Sequence, residues 1–423
     1  MPREELEKMQ LELIKAKVRE MYGLSEFFRK KMESVGLTPD DIDSFEAFRK
    51  IPFMKKSDLR DNYPDKLFVV PYDDLVRIHV SSGTTGKPTV VGYTKNDLDN
   101  WTESLARGMT SFGMTRKDVM QNCHGYGLFT GGLGVHYGAE RIGATVIPTS
   151  TGNTSRQIQL IQDLPVTAIA GTPSYMFHIA DVCDQQGVDI RRDTHLRLAI
   201  AGGEPWSESM RQKLQSRTGI RVHNCYGASE YYGPMFLECD RQCGLHVWAD
   251  LCYMEILDKD GNPCKEGERG EIVVTMLKKE AFPLIRYKIG DISALDWTPC
   301  ACGRTHPRLM RISGRTDDML VVRGVNVFPS QIESVIGELP YLSPFYHITL
   351  ENKNYMDSMV VAVELSEDYL TEDTVEINRM TNELSRRLKD VLNIKAEVKL
   401  ELPGTLERFE GKSCHVTDRR SYE

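Results

Sequence analysis

The residues best suited to chemistry open the chain's first glycine-rich segment, HVSSGTTGKPTVVGYT at 79–94. Ser81, Ser82, Thr84 and Thr85 surround Gly83 and Gly86, and Lys87 follows. Glycines let a backbone turn tightly and approach a ligand closely. Hydroxyls and an ammonium group satisfy the oxygens of a polyphosphate. The same composition also suits a solvated surface turn. The stretch departs from the GxxxxGK[ST] loop of nucleotide hydrolases, because Ser81 stands at the first glycine position and Pro88 replaces the magnesium-binding hydroxyl.

Four later segments carry groups that complement such a loop. In NCYGASEYYGP (224–234), Ser229 and Glu230 follow a strand-like run and a glycine turn. A single carboxylate there can hold magnesium bridging nucleotide phosphates, since that ion takes few protein ligands. In FPLIRYKIGDIS (282–293), Asp291 suits an acceptor for ribose hydroxyls. RISGRTDDMLVVRGVNVFPSQIE (311–333) sets Gly314 and Arg315 before Asp317 and Asp318, the composition of a charged hinge. LPGTLERFEGKSCHV (402–416) presents Lys412 on a glycine-containing segment. Each has a plainer reading, because turn carboxylates and surface lysines are common.

Ten cysteines are present. Cys123, Cys183, Cys225, Cys252, Cys264 and Cys414 are scattered singly and read as core or surface thiols of a reducing compartment. Cys239, Cys243 and His246 form one short group, and Cys300 and Cys302 another. Sulfur and imidazole donors on two short loops are what a closed tetrahedral zinc site needs, with five candidates for four places. Free thiols beside a solvated histidine are the alternative.

These groups need a scaffold. The chain of 423 residues exceeds one average domain. Leu11, Ile14, Val18, Met21 and Tyr22 recur at helical spacing, and Thr38-Pro39-Asp40-Asp41 reads as a cap followed by a helix with proline first. From about residue 75, strand-like runs alternate with helical stretches: VRIHV (76–80), ATVIPTS (144–150), VTAIAGT (166–172) and LRLAIAGG (196–203). The last three end in small or hydroxylated residues, as at the ligand-gathering carboxyl ends of strands in an α/β sheet. Strands punctuated by turns, among them YMEILDKDGNP and GEIVVTML, then predict a β-rich subdomain at about 236–310. Beyond residue 315, HITL, MVVAVEL, a helix with Ile377, Met380, Leu384, Leu388 and Val391 on one face, and AEVKLEL predict a small α+β domain.

The expected fold is therefore α/β: a large domain over 1–314 and a small mobile one over 315–423. A net charge of −8 argues against a nucleic-acid partner. No apolar run reaches membrane-spanning length, and the polar start MPREELEKMQ carries no signal-peptide pattern, so a cytoplasmic enzyme is the simplest class.

In order and spacing, the five motifs resemble those of the adenylate-forming superfamily of acyl-CoA synthetases, adenylation domains and luciferases, over nearly the whole chain. YGLFTGGLG (126–134), AGGEPWS (201–207), YGASEYYGP, PLIRYKIGD, RISGRTDDMLVVRGVNVFPSQIE and PGTLERFEGK are similar to segments of the phenylacetate-CoA ligase family. That resemblance implies attack of an aryl acid, phenylacetate or a relative, on the α-phosphate of ATP, then transfer of the acyl group to coenzyme A. Ser81, Ser82, Gly83, Thr84, Thr85, Gly86 and Lys87 would hold the outer phosphates. Glu230 would hold Mg²⁺, with Ser229 at the α-phosphate side. Asp291 and Arg315 would grip the ribose. Gly202, Gly203, Glu204, Asn224, Tyr226 and Gly227 would line the adenine and acyl side. Lys412 would bridge the charge developing between carboxylate and phosphate, and Asp317 would serve as the domain pivot.

Superfamily members often carry a lysine four positions after the second motif aspartate; this chain departs from that pattern, with Val322 there and Arg323 beside it as the candidate substitute toward coenzyme A. Tyr126, Phe129, Gly131, Ala201, Tyr231 and Pro234 are the expected acid-pocket residues, since aromatic and small side chains suit a flat acid. The resemblance selects Cys239, His246, Cys300 and Cys302 as structural zinc ligands, leaving Cys243 spare. It also implies a homodimer. Two other readings are a ligase that loads a separate carrier protein and a nucleotide-dependent switch. Products separate them: AMP and pyrophosphate for either ligase, ADP and phosphate for the switch.

Overall fold

The computed structural model describes residues 1–80, 89–128, 130–204, 206–316, 320–322, 325–353, 356–392, 394–407 and 415–420. Its centre is a nine-stranded sheet. Five strands, in the spatial order Thr145–Ile147, Val119–Asn122, Ala168–Gly171, Leu198–Gly202 and Arg221–Ala228, run parallel. Ala168–Gly171 and Leu198–Gly202 are buried at every position, the uninterrupted apolar pattern of parallel strands covered on both faces. Their carboxyl ends carry Ala201 and Gly202 and, on the longer strand, Tyr226 and Gly227.

Helices cover this sheet, and three of them start on side-chain caps. Thr94 begins Lys95–Ser111 with a capping box to Asp97, Thr172 begins Pro173–Gln185, and Ser207 begins Glu208–Thr218. Each cap oxygen satisfies a backbone amide that the first helical turn leaves open.

The sheet then continues antiparallel through Gly233–Glu238, Leu245–His246, Arg308–Leu309 and Leu295–Asp296. The β-rich region thus contributes to two sheets. The second is antiparallel, ordered Cys252–Leu257, Gly270–Met276, Tyr287–Ser293 and Gly314–Arg315. Between its first two strands, Asp258 accepts the Asp260 and Asn262 amides at 2.9 and 2.8 Å. Gly261 takes φ +85° there, as the predicted Asp-Gly turn requires.

The C-terminal part has its own sheet, ordered Glu397–Glu401, Met356–Leu365, Leu342–Lys353 and Val416–Asp418. Helices Pro329–Glu338 and Thr374–Leu392 share a core with it around Ile332, Ile336, Ile348, Val361, Leu384 and Leu388. This body rests on the helix Glu208–Thr218. Lys213 Nζ donates to the Leu339 and Leu342 carbonyls at 3.1 and 3.4 Å. A Cβ at Gly337 would lie 2.1 Å from Ser209 Oγ and 2.9 Å from Ser207 Oγ, so any larger residue requires these serines to shift.

Two local expectations change. The segment after Thr38 is a three-residue 3₁₀ turn, Pro39–Asp41. Asp41 Oδ2 accepts the Thr38 amide at 2.7 Å as a helix cap would, but Ile42 leaves helical geometry and enters the core. On Thr374–Leu392 the buried stripe runs 380, 384, 388, 392, so Leu392 is enclosed and Val391 is 44% exposed. Steps of four keep the stripe one residue beyond the predicted one.

Candidate active site

Asp291 and Arg315 are direct partners across adjacent antiparallel strands. Arg315 Nη1 donates to Asp291 Oδ1 at 2.5 Å, and Tyr226 Oη donates to Oδ2 of the same carboxylate. Burial, with Asp291 beside it, holds the Tyr226 phenol well above its usual pKa, so it remains a donor. Three segments separated by 65 and 24 residues in sequence therefore converge on one carboxylate. Tyr226, expected toward adenine and acyl group, is placed with the two ribose candidates.

Ser229 and Glu230 follow the strand Arg221–Ala228 directly. Ser229 Oγ lies 3.2 Å from Thr130 Oγ1, and Tyr287 Oη donates to Glu230 Oε1 at 3.4 Å. Glu230 is 8% exposed, a carboxylate at a strand end that keeps a small opening. That suits a magnesium ion taking one protein oxygen and completing its shell with phosphate and water.

On the neighbouring strand, a Cβ at Gly202 would fall 2.5 Å from the Cys225 carbonyl, and Gly203 takes φ +91°. The chain therefore turns sharply away from the sheet at this point. Glu204 Oε1 accepts the Ser174 amide at 2.5 Å. Asn224 receives Trp206 Nε1 on Oδ1 at 3.0 Å and donates its amide to Glu238 at 2.8 Å. Gly202, Gly203, Glu204, Asn224, Tyr226 and Gly227 thus lie on two adjacent parallel strands and the turn after one of them.

Among acid-pocket candidates, Tyr126 is half-buried, its hydroxyl accepting from Asn122 at 2.7 Å and lying 3.0 Å from His136 Nδ1. Burial pushes its phenol up to about 12. Gly131 opens the helix Gly131–Ile142. Ala201 and Tyr231 are wholly enclosed, and the Pro234 carbonyl accepts Trp101 Nε1 at 2.7 Å. Ser81, Ser82, Gly83, Thr84, Thr85, Gly86, Lys87, Phe129, Asp317, Arg323 and Lys412 lie outside the described residues. Thr130, Trp206 and Glu238 were not singled out from sequence. Thr130 and Trp206 lie inside the quoted segments YGLFTGGLG and AGGEPWS, but their partners Ser229 and Asn224 are distant in the chain, as are those of Glu238.

The cysteine groups do converge. One ligand atom each from Cys239, His246, Cys300 and Cys302 lies within 4.8 Å of every other. Cys239 Sγ is 3.7 Å from Cys300 Sγ, and Cys302 Sγ is 3.4 Å from His246 Nε2. A tetrahedron with Zn–S bonds of about 2.3 Å has edges of about 3.8 Å. Burial, with Arg304 and Arg308 nearby, pushes His246 down to about 4, leaving a neutral ring. Cys243 Sγ is 3.7 Å from Cys300 Sγ and receives Arg308 Nη1 at 2.8 Å. Among the described residues, no helix is long and apolar enough to cross a membrane.

Comparison with known proteins agrees over the full length. The model of the AMP-binding enzyme family matches residues 29–276, and that of the AMP-binding enzyme C-terminal domain matches 324–420. A phenylacetate-coenzyme A ligase of Escherichia coli K12 is 44% identical over 99% of this chain and 96% of its own. The crystal structure of a 2-hydroxyisobutyryl-CoA ligase in its postadenylation state is 28% identical and superimposes with a TM-score of 0.92, covering 99% of this chain and 90% of that one. The same ligase in its thioesterification state, with CoA, is 29% identical over 99% and 91% of the two chains and gives 0.73. The arrangement seen here is therefore nearer the postadenylation one. This chain belongs to the phenylacetate-coenzyme A ligase family of AMP-binding enzymes.

Proposed function

We propose that this protein adenylates phenylacetate with ATP and passes the acyl group to coenzyme A, releasing pyrophosphate and AMP. The observation that carries this reading is the convergence of Asp291, Arg315 and Tyr226 beside the turn bearing Ser229 and Glu230. The 44% identity to a phenylacetate ligase along nearly all of both chains supports the choice of acid.

In the first half-reaction a carboxylate oxygen of the acid bonds to the α-phosphorus, and the bond to the bridging oxygen of pyrophosphate breaks. Two anions must meet, so preorganised positive charge and donors dominate the barrier. Asp291 accepts ribose hydroxyls while Arg315 and Tyr226 hold its orientation. Ser229 donates near the α-phosphate, residues 81–87 hold the outer phosphates, and Lys412 balances the charge shared by carboxylate and phosphate. A magnesium ion on Glu230 would neutralise phosphate oxygens. In the second half-reaction the thiol sulfur of coenzyme A attacks the acyl carbon, and the bond to AMP oxygen breaks. The C-terminal body turns about Asp317 between the two steps, withdrawing Lys412.

Cys239, His246, Cys300 and Cys302 would hold zinc structurally, with Cys243 left to Arg308. Such an ion would cross-link the antiparallel extension of the main sheet. The working protein is a cytoplasmic homodimer in this reading. The test is a panel of aryl and aliphatic acids assayed for pyrophosphate, AMP and coenzyme A thioester. Phenylacetate should give the highest kcat/KM with all three products in equal amounts. ADP as product, or transfer only to a carrier protein, would overturn the proposal.

A further inference from the structure

Beneath Glu230 stands an ammonium group for which the chemistry above has no use. Lys279 is 0% exposed, on the connection between Gly270–Met276 and Tyr287–Ser293. Its Nζ donates to the Tyr231 carbonyl and sits 4.1 Å from the ring centre of Tyr93 and 4.9 Å from that of Tyr232. Tyr93, also 0% exposed, sets its hydroxyl 3.1 Å from both the Ser229 and Tyr232 carbonyls. Lys279 and Tyr93 together thus hold the carbonyls of residues 229, 231 and 232, on both sides of Glu230.

The brace is itself fixed. Asp97, 0% exposed, accepts the amides of Glu280 and Ala281 at 2.8 and 3.0 Å while capping its own helix through Thr94. Glu280 accepts from Thr94 Oγ1 at 2.6 Å and from Asn96 Nδ2 at 2.7 Å. The Lys279 carbonyl receives Lys17 Nζ at 3.1 Å. Enclosing an ammonium costs solvation that an apolar side chain of similar length would not lose. Stability alone therefore does not account for it. Burial pushes Lys279 down to about 8, opposed by the charges of Asp97 and Glu230.

We propose that Lys279, assisted by Tyr93, is the positioning residue of the nucleotide site: it locks the Ser229–Tyr232 turn so that the Glu230 carboxylate meets magnesium–ATP in a single geometry. This rests on the proposed function, in which Glu230 serves the metal–nucleotide. Lys279 touches neither substrate nor metal and acts through the backbone, as outer partners of metal ligands do.

The experiment compares wild type, Lys279→Met, Tyr93→Phe and the double variant. Calorimetric titration with magnesium–ATP, without acid, is set beside acid-dependent pyrophosphate release at varied magnesium. Lys279→Met should weaken magnesium–ATP binding and lower kcat for adenylation, each by about 10- to 100-fold, with the KM for acid unchanged. Tyr93→Phe should move the same quantities less, and the double variant should be no worse than Lys279→Met. A folded Lys279→Met with wild-type binding and magnesium dependence overturns the inference, as does an equal loss in every parameter including KM for acid. If Lys279→Met does not fold, Tyr93→Phe decides, and an unchanged magnesium titration overturns it. A wild type that binds magnesium–ATP yet releases no pyrophosphate with any aryl acid sinks the proposed function instead, and the binding comparison still tests Lys279.

Discussion

Arg315 Nη1 and Asp291 Oδ1 are 2.5 Å apart because their residues are register partners on neighbouring strands, one at the sheet's edge. A backbone ladder thus sets the orientation of a carboxylate that Tyr226 holds from the other side. Asp291→Ala should raise the KM for ATP by about 10- to 100-fold and leave the KM for acid nearly unchanged. Tyr226→Phe removes one hydrogen bond to a charged group and should cost about 1.5–3 kcal/mol. Pyrophosphate release at varied ATP checks both; equal effects on the two KM values would place the pair away from the ribose.

Lys412→Ala should lower acid-dependent pyrophosphate release by about 100- to 1000-fold, the range for losing one group that stabilises transition-state charge. Thioester formation from preformed phenylacetyl-adenylate should stay within severalfold of wild type. An intact first half-reaction would remove the lysine from its assigned role.

Purified protein should carry one zinc per chain, released by strong chelators. Cys302→Ser and His246→Ala should each lose the metal and lower the melting temperature, whereas Cys243→Ser should keep it, because Cys243 is held by Arg308. Mass spectrometry of metal content with thermal melting settles this, and sub-stoichiometric metal in fresh wild type would count against it.

Glu333, on the helix Pro329–Glu338, is 5% exposed and faces Glu204, Arg311, Tyr346 and Ser207. Burial, with Glu204 adding to it, pushes its carboxyl from 4.5 up to about 8. It is therefore neutral where the C-terminal body rests on Glu208–Thr218, and would be charged over that interval if the two separated. Its contribution to docking is full below 4.5, declines as pH rises, and is gone once pH passes about 8. Glu333→Gln should flatten the alkaline loss of adenylation activity between pH 7 and about 9. An unchanged pH profile would show that this contact does not limit the first half-reaction.

The candidate site residues are more legible in the sequence than the residues that support them. Asp291, Arg315, Ser229 and Glu230 stand in local motifs whose order and spacing are visible along the chain. The parallel strands were equally plain, since Ala168–Gly171 and Leu198–Gly202 are continuous apolar runs. What stayed hidden depends on pairing between distant segments. Glu238 gains meaning only through Asn224 and Arg211, and Lys279 only where Tyr93 and Tyr231 enclose it. A lysine next to another lysine, in KKEAF, otherwise reads as surface. The single-step error at Val391 came from the stripe, which advances by four rather than three at the end of its helix.

The order of strands in the main sheet bears on how the protein comes into being. Leu245–His246 cannot complete its ladder until Arg308–Leu309 has left the ribosome, and in the second sheet Asp291 must wait for Arg315. Segments made first, such as Val119–Asn122 and Ala168–Gly171, already have parallel partners close behind them. Pairing across long loops is slow and comes late. Synthesis thus leaves a half-built sheet with an open edge at Leu245–His246 for the time needed to add about sixty residues, a few seconds to about twelve at typical elongation rates. That edge, rather than the finished surface, is where newborn chains of this protein are most exposed to pairing with one another.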